Sequence, residues 1–324
     1  MKPDSLQNEA HTRRVEALRR ALNHDVGALL SSDDVIEIML NPDGALWVDR
    51  AGAGMSRAGQ IDAVRAMSII SAVAAVRDDI VTADKPVLEC ELPPEFAGAR
   101  FEGLIPPVVA RPSFAIRKKA LLVYSLGDYV SRGIMSEAQA LAIENAVVSR
   151  ENIIISGGTG TGKTTLANAV LRCMSERAGD DRIVILEDTQ ELQCLAPNAV
   201  FLRTSENVTM THLLRATMRL RPDRIVVGEV RDAAALALLK AWNTGHPGGI
   251  GTVHANSASA ALTRIGQLVQ EAGVPPAPEL IAEAVNIIVS VRRINAAPGR
   301  VVDEVLRVAG YSAATGFVFE SASA

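Results

Sequence analysis

Residues 157–165 read GGTGTGKTT and fit the pattern Gly-x-x-x-x-Gly-Lys-Ser/Thr. Neighbouring phosphates repel one another and need many donors at close range. Glycines let a loop fold with its backbone N–H groups turned inward. Gly157, Gly158, Thr159, Gly160, Thr161, Gly162 and Thr165 are therefore the expected cradle. Lys163 is placed to bridge the β- and γ-phosphates, and the Thr164 hydroxyl to ligate Mg²⁺. The spacing points to ATP with magnesium. A chance glycine loop is disfavoured, because an apolar strand (NIIIS) precedes the motif and a helical run (TLANAVL) follows it.

Two later segments carry carboxylates. ILEDTQEL brings Glu187, Asp188 and Glu191 to the end of a strand over residues 182–187. DRIVVGEVRD brings Glu229 to the end of a strand over residues 223–230, followed by Arg231 and Asp232. In many P-loop enzymes an Asp at that strand end holds Mg²⁺. Here Gly228 precedes the glutamate, so the metal must rely on Thr164, phosphates and water, with Glu187 and Asp188 as further candidates. Glu229 is the group to orient or deprotonate an attacking water, with Glu187 or Glu191 holding the metal–water network. Its bland alternative is a helix cap or a solvated carboxylate. In TGHPGGIGTVHANS, His246 and His254 flank a glycine loop beside the presumed γ-phosphate. Either can sense that phosphate by a hydrogen bond. A zinc site is not expected, since no Cys or further His joins them.

These side chains need a scaffold. From residue 137 helices alternate with strands: a helix over 137–149, strand 152–156, helix 164–174, strands 182–187 and 223–230, helix 232–242 and a short strand over 251–254. That alternation predicts a mainly parallel sheet covered on both faces. The first third reads as a smaller α+β domain. It has an amphipathic helix over 5–30, a helix over 35–40 capped by Ser32 and Asp33, a turn at NPDG, a strand over 45–49, a helix over 61–76, and several strands between 87 and 118. The first helix carries Arg13, Arg14, Arg19 and Arg20 opposite its apolar stripe. Such a helix can lie on an anionic membrane, although a solvated face of a packed helix is the commoner reason. Residues 125–136 look like a linker. The expected division is an N-terminal helix (1–30), an α+β domain (31–122), a linker (123–136) and a P-loop domain (137–324).

GGTGTGKTT, LEDTQEL, RIVVGEVRD and TGHPGGIGTVHANS, in this order, resemble the Walker A, Asp box, Walker B and His box of the type II and type IV secretion ATPases. Gly before the Walker B glutamate is a habit of that family. LNPDGALWVDRAG and RPSFAIRK resemble the N-terminal domain of the conjugative-transfer branch, the TrbB type. Glu-Asp-Thr in the Asp box is similar to the type IV secretion branch. The resemblance covers most of residues 30–310. It implies an α/β chain with a RecA-like ATPase domain and a smaller N-terminal α+β domain. It also implies a homo-oligomer, a hexameric ring, working with inner-membrane components of a secretion or conjugation machine. By the same resemblance, Arg111 and Arg117 reach the nucleotide phosphates, and one or more of Arg215, Arg219, Arg221 and Arg224 can serve as an arginine finger. Type II secretion and type IV pilus ATPases remain the alternative machines.

Composition narrows the classes. A net charge of -4 and only 3% aromatics leave few stacking platforms and no basic excess, so direct nucleic-acid binding is not expected. Three cysteines without a CxxC pair make neither a disulfide framework nor a zinc site. With no signal-like N-terminus and no apolar run of membrane length, the expectation is a cytoplasmic protein, peripheral at the inner membrane at most. A small-molecule kinase would need an Arg-rich lid, and none follows the P-loop helix. A nucleotide-sensing module that barely hydrolyses is weakened by the presence of Glu229.

Overall fold

The computed structural model describes residues 3–50, 53–119, 123–205 and 207–322. The expected domain boundary at residue 122 and the first two residues of the expected N-terminal helix lie outside them. The chain divides into two compact units, Met1–Leu121 and Leu122–Ala324.

The first unit runs α1 (Pro3–Ser31), β1 (Val35–Leu40), β2 (Ala45–Arg50), β3 (Gly54–Gln60), α2 (Ala63–Val76), β4 (Val87–Glu91), β5 (Arg100–Leu104) and β6 (Ser113–Arg117). Its six strands pair antiparallel in the order β3-β2-β1-β6-β5-β4. Val15, Leu18, Leu22 and Val26 of α1 are buried in one cluster with Ile69 and Ile70 of α2 and Ile38 and Ile116 of the sheet. The apolar stripe of α1 is thus consumed by its own unit, and only its polar face remains for solvent. The helix expected over residues 35–40 is a strand. Six residues are too few for a stable helix, whereas β1 gains a ladder on each side, from β2 and from β6. The Asn41–Gly44 turn closes the β1–β2 hairpin, with Gly44 at φ +85° and the Asp43 carboxylate accepting from the Ala45 N–H at 2.9 Å.

The second unit continues α3 (Leu126–Ser131), α4 (Glu137–Val148), β7 (Ile153–Ser156), α5 (Lys163–Arg177), β8 (Ile183–Glu187), β9 (Ala199–Arg203), α6 (Met210–Thr217), β10 (Arg224–Val227), α7 (Ala234–Asn243), β11 (Ile250–Val253), α8 (Ala258–Gln270), α9 (Pro278–Ala284), β12 (Ile287–Arg293), β13 (Arg300–Ser312) and β14 (Gly316–Ser321). The sheet order is β14-β13-β12-β7-β11-β10-β8-β9. Strands β12 through β9 in that order run parallel, and β13 and β14 extend the sheet antiparallel. The parallel strands are nearly all apolar because both faces are covered. Ile153 and Ile155 pack on one face with Leu166 and Val170 of α5, while Ile154 packs on the other with Leu238 of α7 and Leu262 of α8. Burying each such isoleucine stabilises by about 1.5–3 kcal/mol.

Part of the expected linker, 125–136, is instead the helix α3. Ser125 accepts from the Asp128 N–H while Asp128 accepts from the Ser125 N–H, a reciprocal capping box. All three cysteines are unpaired. Among the described residues no helix is long and apolar enough to cross a membrane.

Candidate functional site

Parallel strands carry their ligands at their carboxyl ends. Here β7, β8, β10 and β11 end side by side at Ser156, Glu187, Val227 and Val253. The glycine loop leaves β7 and enters α5. A Cβ on Gly157 would lie 2.5 Å from the Val291 carbonyl and 2.6 Å from Thr161 Oγ1. Gly160 and Gly162 have φ of +68° and +99°, in the left-handed region that favours glycine. Gly162 is the N-cap of α5 and supplies no side chain to cap it. The first N–H groups and the positive end of α5 are therefore left for an anion. Within the loop, the Gly158 carbonyl accepts from the Thr161 hydroxyl at 2.9 Å and from Lys163 Nζ at 3.0 Å. Lys163 is buried, Thr164 and Thr165 are half-buried, and Thr159 stands exposed at the tip. A cavity of ≈ 500 Å³ opens beside the loop, lined by Gly158, Thr159, His254, Asn256 and Arg264 among others.

Lys163 continues into a polar chain. Its Nζ lies 3.3 Å from His254 Nδ1, and His254 Nε2 lies 3.1 Å from Glu229 Oε1. An ammonium can only donate, so Nδ1 must be the acceptor and the ring proton sits on Nε2, donated to Glu229. Burial, then the Lys163 charge, hold His254 below its ordinary pKa, against the pull of Glu229. The imidazole is therefore neutral at pH 7. Arg231 donates to the other oxygen of Glu229 and lies 3.5 Å from Asp188. Glu229 is thus held by two donors at a strand end, with one oxygen turned to the phosphate side through His254.

Gly228 is explained by the acidic segment. A Cβ there would lie 2.9 Å from Glu187 Cγ and 3.2 Å from its Oε1. Glu187 is only 5% exposed. Its Oε1 accepts from the backbone N–H groups of Glu191 and Leu192 at 2.9 and 2.8 Å. Glu187 therefore fixes the loop after β8, and its own side chain occupies the place a Walker B aspartate would need. Asp188 accepts from the Thr204 hydroxyl at 2.9 Å and faces Arg231. The Glu191 carbonyl takes a hydrogen bond from Asn168 of α5. Among the described residues no cluster of three or more His, Cys, Asp or Glu is arranged to hold a metal by itself. The cradle N–H groups fit phosphates, and the Thr164 hydroxyl oxygen fits a magnesium that arrives with them.

Two expectations fail on topology. His246 precedes β11 and His254 follows it, so the strand holds them at opposite ends of the parallel strands. His246 lies with the Ala241 carbonyl, 3.3 Å away, and not with the phosphate loop. Arg224 opens β10 at the same amino-terminal end. It is 1% exposed, pairs with Asp181 at 2.6 Å and donates to the Val147 and Gly248 carbonyls at 3.0 and 3.2 Å. It is a structural cation and not a finger. Arg215, Arg219 and Arg221 are exposed. Arg111 and Arg117 belong to the first unit, where both are exposed and Arg117 ends β6 opposite Glu37. Sequence reading missed Arg293 and Arg300, which approach the phosphate loop from β12 and β13: Arg293 Nε donates to the Gly160 carbonyl at 2.9 Å. No motif announced them, and only the pairing of β12 with β7 brings them there.

Residues 100–309 match the family described as "Type II/IV secretion system protein". The chain is 53% identical over 302 residues to the "Probable conjugal transfer protein TrbB" of Sinorhizobium fredii, covering 93% of this chain and 92% of that protein. It is 33% identical over 268 residues to the "Type IV secretion system protein PtlH" of Bordetella pertussis, covering 73% and 77%. The solved structure of the Legionella pneumophila ATPase DotB shares the fold, with TM-score 0.61, 18% identity, and coverage of 90% of this chain and 79% of that one. The fold class is therefore as the motifs implied, an α/β chain with a RecA-like P-loop domain and a smaller α+β N-terminal part. A family match over well more than half the chain, together with a relative identical at 53% of 302 aligned positions, decides the matter: this chain belongs to the type II/IV secretion system protein family.

Proposed function

We propose that the chain hydrolyses ATP to power a type IV secretion machine of the conjugal-transfer kind. The observation that carries the reaction is the line from Lys163 through neutral His254 to Glu229 at the mouth of the phosphate cradle. The similarity to the conjugal transfer protein supports the choice of machine.

The cradle N–H groups of residues 157–165 and Lys163 hold the β- and γ-phosphates. Thr164 would hold magnesium, which would screen phosphate charge, with Glu187 or Asp188 reaching it through water. Glu229 orients and deprotonates the attacking water. His254 donates to Glu229 and reports the γ-phosphate to it, since Lys163, which holds that phosphate, also donates to the His254 ring. Arg231 holds the other oxygen of Glu229 in place. Glu191 acts through its backbone, closing the loop that Glu187 anchors. Arg111 and Arg117 complete the charge on the phosphates, and the working form is a homo-oligomer, a hexamer, docked on inner-membrane components of the apparatus. Loss of the γ-phosphate contacts after hydrolysis is the step that moves the protein.

Steady-state hydrolysis by wild type, Lys163→Ala and Glu229→Gln tests the reaction, with mass measurement in the presence of an ATP analogue for the oligomer. A wild-type protein that turns over no ATP even when assembled would overturn the motor reading. Alanine at Arg111 or Arg117 with unchanged KM for ATP would remove those two residues from the site.

A further inference from the structure

Arg293 and Arg300 sit directly opposite one another in the β12–β13 ladder. Like charges facing across a ladder destabilise it, so the arrangement needs a reason. Both guanidinium groups turn to the phosphate loop. Arg293 Nε donates to the Gly160 carbonyl at 2.9 Å, and its Nη2 lies 2.9 Å from where a Gly160 Cβ would be. Arg300 Nη1 presses into the space that the missing Cβ of Gly162 leaves open. Each arginine thus stands over one of the two left-handed glycines of the loop. Among the described residues neither is paired with a carboxylate, whereas Arg292 has Asp303 at 2.8 Å. Two adjacent cations without an acidic partner, at the rim of a phosphate cradle, are a site for an anion.

Their place in the sheet says which part of the anion. The order runs β10, β11, β7, β12, β13. Glu229 and His254 follow β10 and β11, on one side of the loop. Arg293 and Arg300 belong to β12 and β13, on the other. A nucleotide laid across the loop with its γ-phosphate at His254 therefore turns its α-phosphate toward the arginines.

We infer that Arg293 and Arg300 form a clamp for the α-phosphate end of the nucleotide, binding ATP and ADP alike. This rests on the nucleotide reading above and deepens it. It gives the site two separable halves. Lys163, His254 and Glu229 distinguish ATP from ADP, and the β12–β13 pair holds whichever is present, so that ADP is retained after hydrolysis.

Equilibrium binding of ADP and of a non-hydrolysable ATP analogue to the full chain tests it, with wild type, Arg293→Ala, Arg300→Ala, the double alanine variant and the double lysine variant. A charge-assisted contact to phosphate corresponds to about a 10- to 100-fold change in affinity. Each alanine should weaken both nucleotides by about tenfold or more, leaving the ATP-to-ADP ratio near the wild-type value, and should flatten the salt dependence of Kd. The lysine pair should recover part of the affinity, because it restores charge without the guanidinium fork. Thermal melting without nucleotide should be unchanged or raised in the double alanine variant, since a like-charge pair is removed.

ADP affinity within twofold of wild type in the double alanine variant would overturn the clamp. So would a loss confined to the ATP analogue, which would put the arginines at the γ-phosphate. A double alanine variant that melts early, with a lysine pair that is stable yet binds no better than alanine at either position, would show that the arginines only brace the loop. Failure of wild type itself to bind ADP would instead remove the nucleotide reading.

Discussion

Replacing Gly228 by alanine tests why the Walker B strand ends as it does. Gly228 is not at positive φ, so the backbone tolerates a side chain and only space is at issue. The new Cβ would stand 2.9 Å from Glu187 Cγ and 3.5 Å from its Cδ, where carbon atoms prefer about 3.5–4.0 Å. Glu187 cannot swing away freely, because its Oε1 holds the Glu191 and Leu192 N–H groups. Relief must come from rotating Glu187 off those donors or from pushing the end of β10, and Glu229 with it. Overpacking of this kind costs about 1–3 kcal/mol. For a unit of this size each kcal/mol lowers the melting temperature by about 2–4 °C, so Gly228→Ala should melt about 4–8 °C lower in the middle of that range. Turnover should fall further than stability does, because Glu229 moves. Gly228→Asp, the residue of an ordinary Walker B strand, should be worse, since it also sets a carboxylate against Glu187. Thermal unfolding and steady-state ATP hydrolysis read both effects. If Gly228→Ala melts with wild type and hydrolyses at the wild-type rate, the packing explanation for the glycine is wrong.

Other expectations follow from single contacts. Burial and Lys163 keep His254 below its ordinary pKa, so the folded protein resists a proton that the unfolded chain accepts. The associated stability is present above the unfolded histidine value, about 6.5, and is lost as pH falls below it. Melting temperature and turnover should decline together on the acid side. His254→Gln, which cannot protonate, should have a flatter acid limb, and a limb identical to wild type would assign the titration elsewhere. Arg224→Ala leaves two carbonyls without their buried donor and Asp181 with Arg150 alone. It should cost about 2–4 kcal/mol in chemical denaturation, and a loss of turnover without loss of stability would restore Arg224 as a catalytic candidate. Replacing Leu18 of α1 by alanine removes a fully buried side chain and should destabilise the first unit by about 2–5 kcal/mol. A variant as stable as wild type would mean that the α1 stripe is not part of that core.

The phosphate loop was legible because its chemistry dictates residue types at fixed spacing: only glycine suits φ of +68° and +99° at residues 160 and 162. The helix α3 was missed: Ser125 and Asp128 form its capping box, but the glycines at 127 and 133 drew the reading toward a linker. β1 was misread because six residues, five of them apolar, carry no decisive period, and the sheet neighbours that make it a strand come from residues 45–50 and 113–117. His246 was misread for a geometric reason. Nearness in sequence does not survive the crossing of a strand, which carries one histidine to its amino end and the other to its carboxyl end. Arg293 and Arg300 were invisible for the converse reason, since their approach to the loop depends on β12 lying beside β7 across more than a hundred residues of chain.

The most direct test of the catalytic reading is single-turnover hydrolysis by wild type and Glu229→Gln, with nucleotide affinity measured on the same preparations. The substitution keeps the shape and removes the base. Turnover should drop by about 10²- to 10⁴-fold, while affinity for ATP stays close to wild type. A Glu229→Gln protein that hydrolyses ATP at the wild-type rate would contradict the assignment of Glu229, and with it the line from Lys163 through His254 on which the proposed reaction depends.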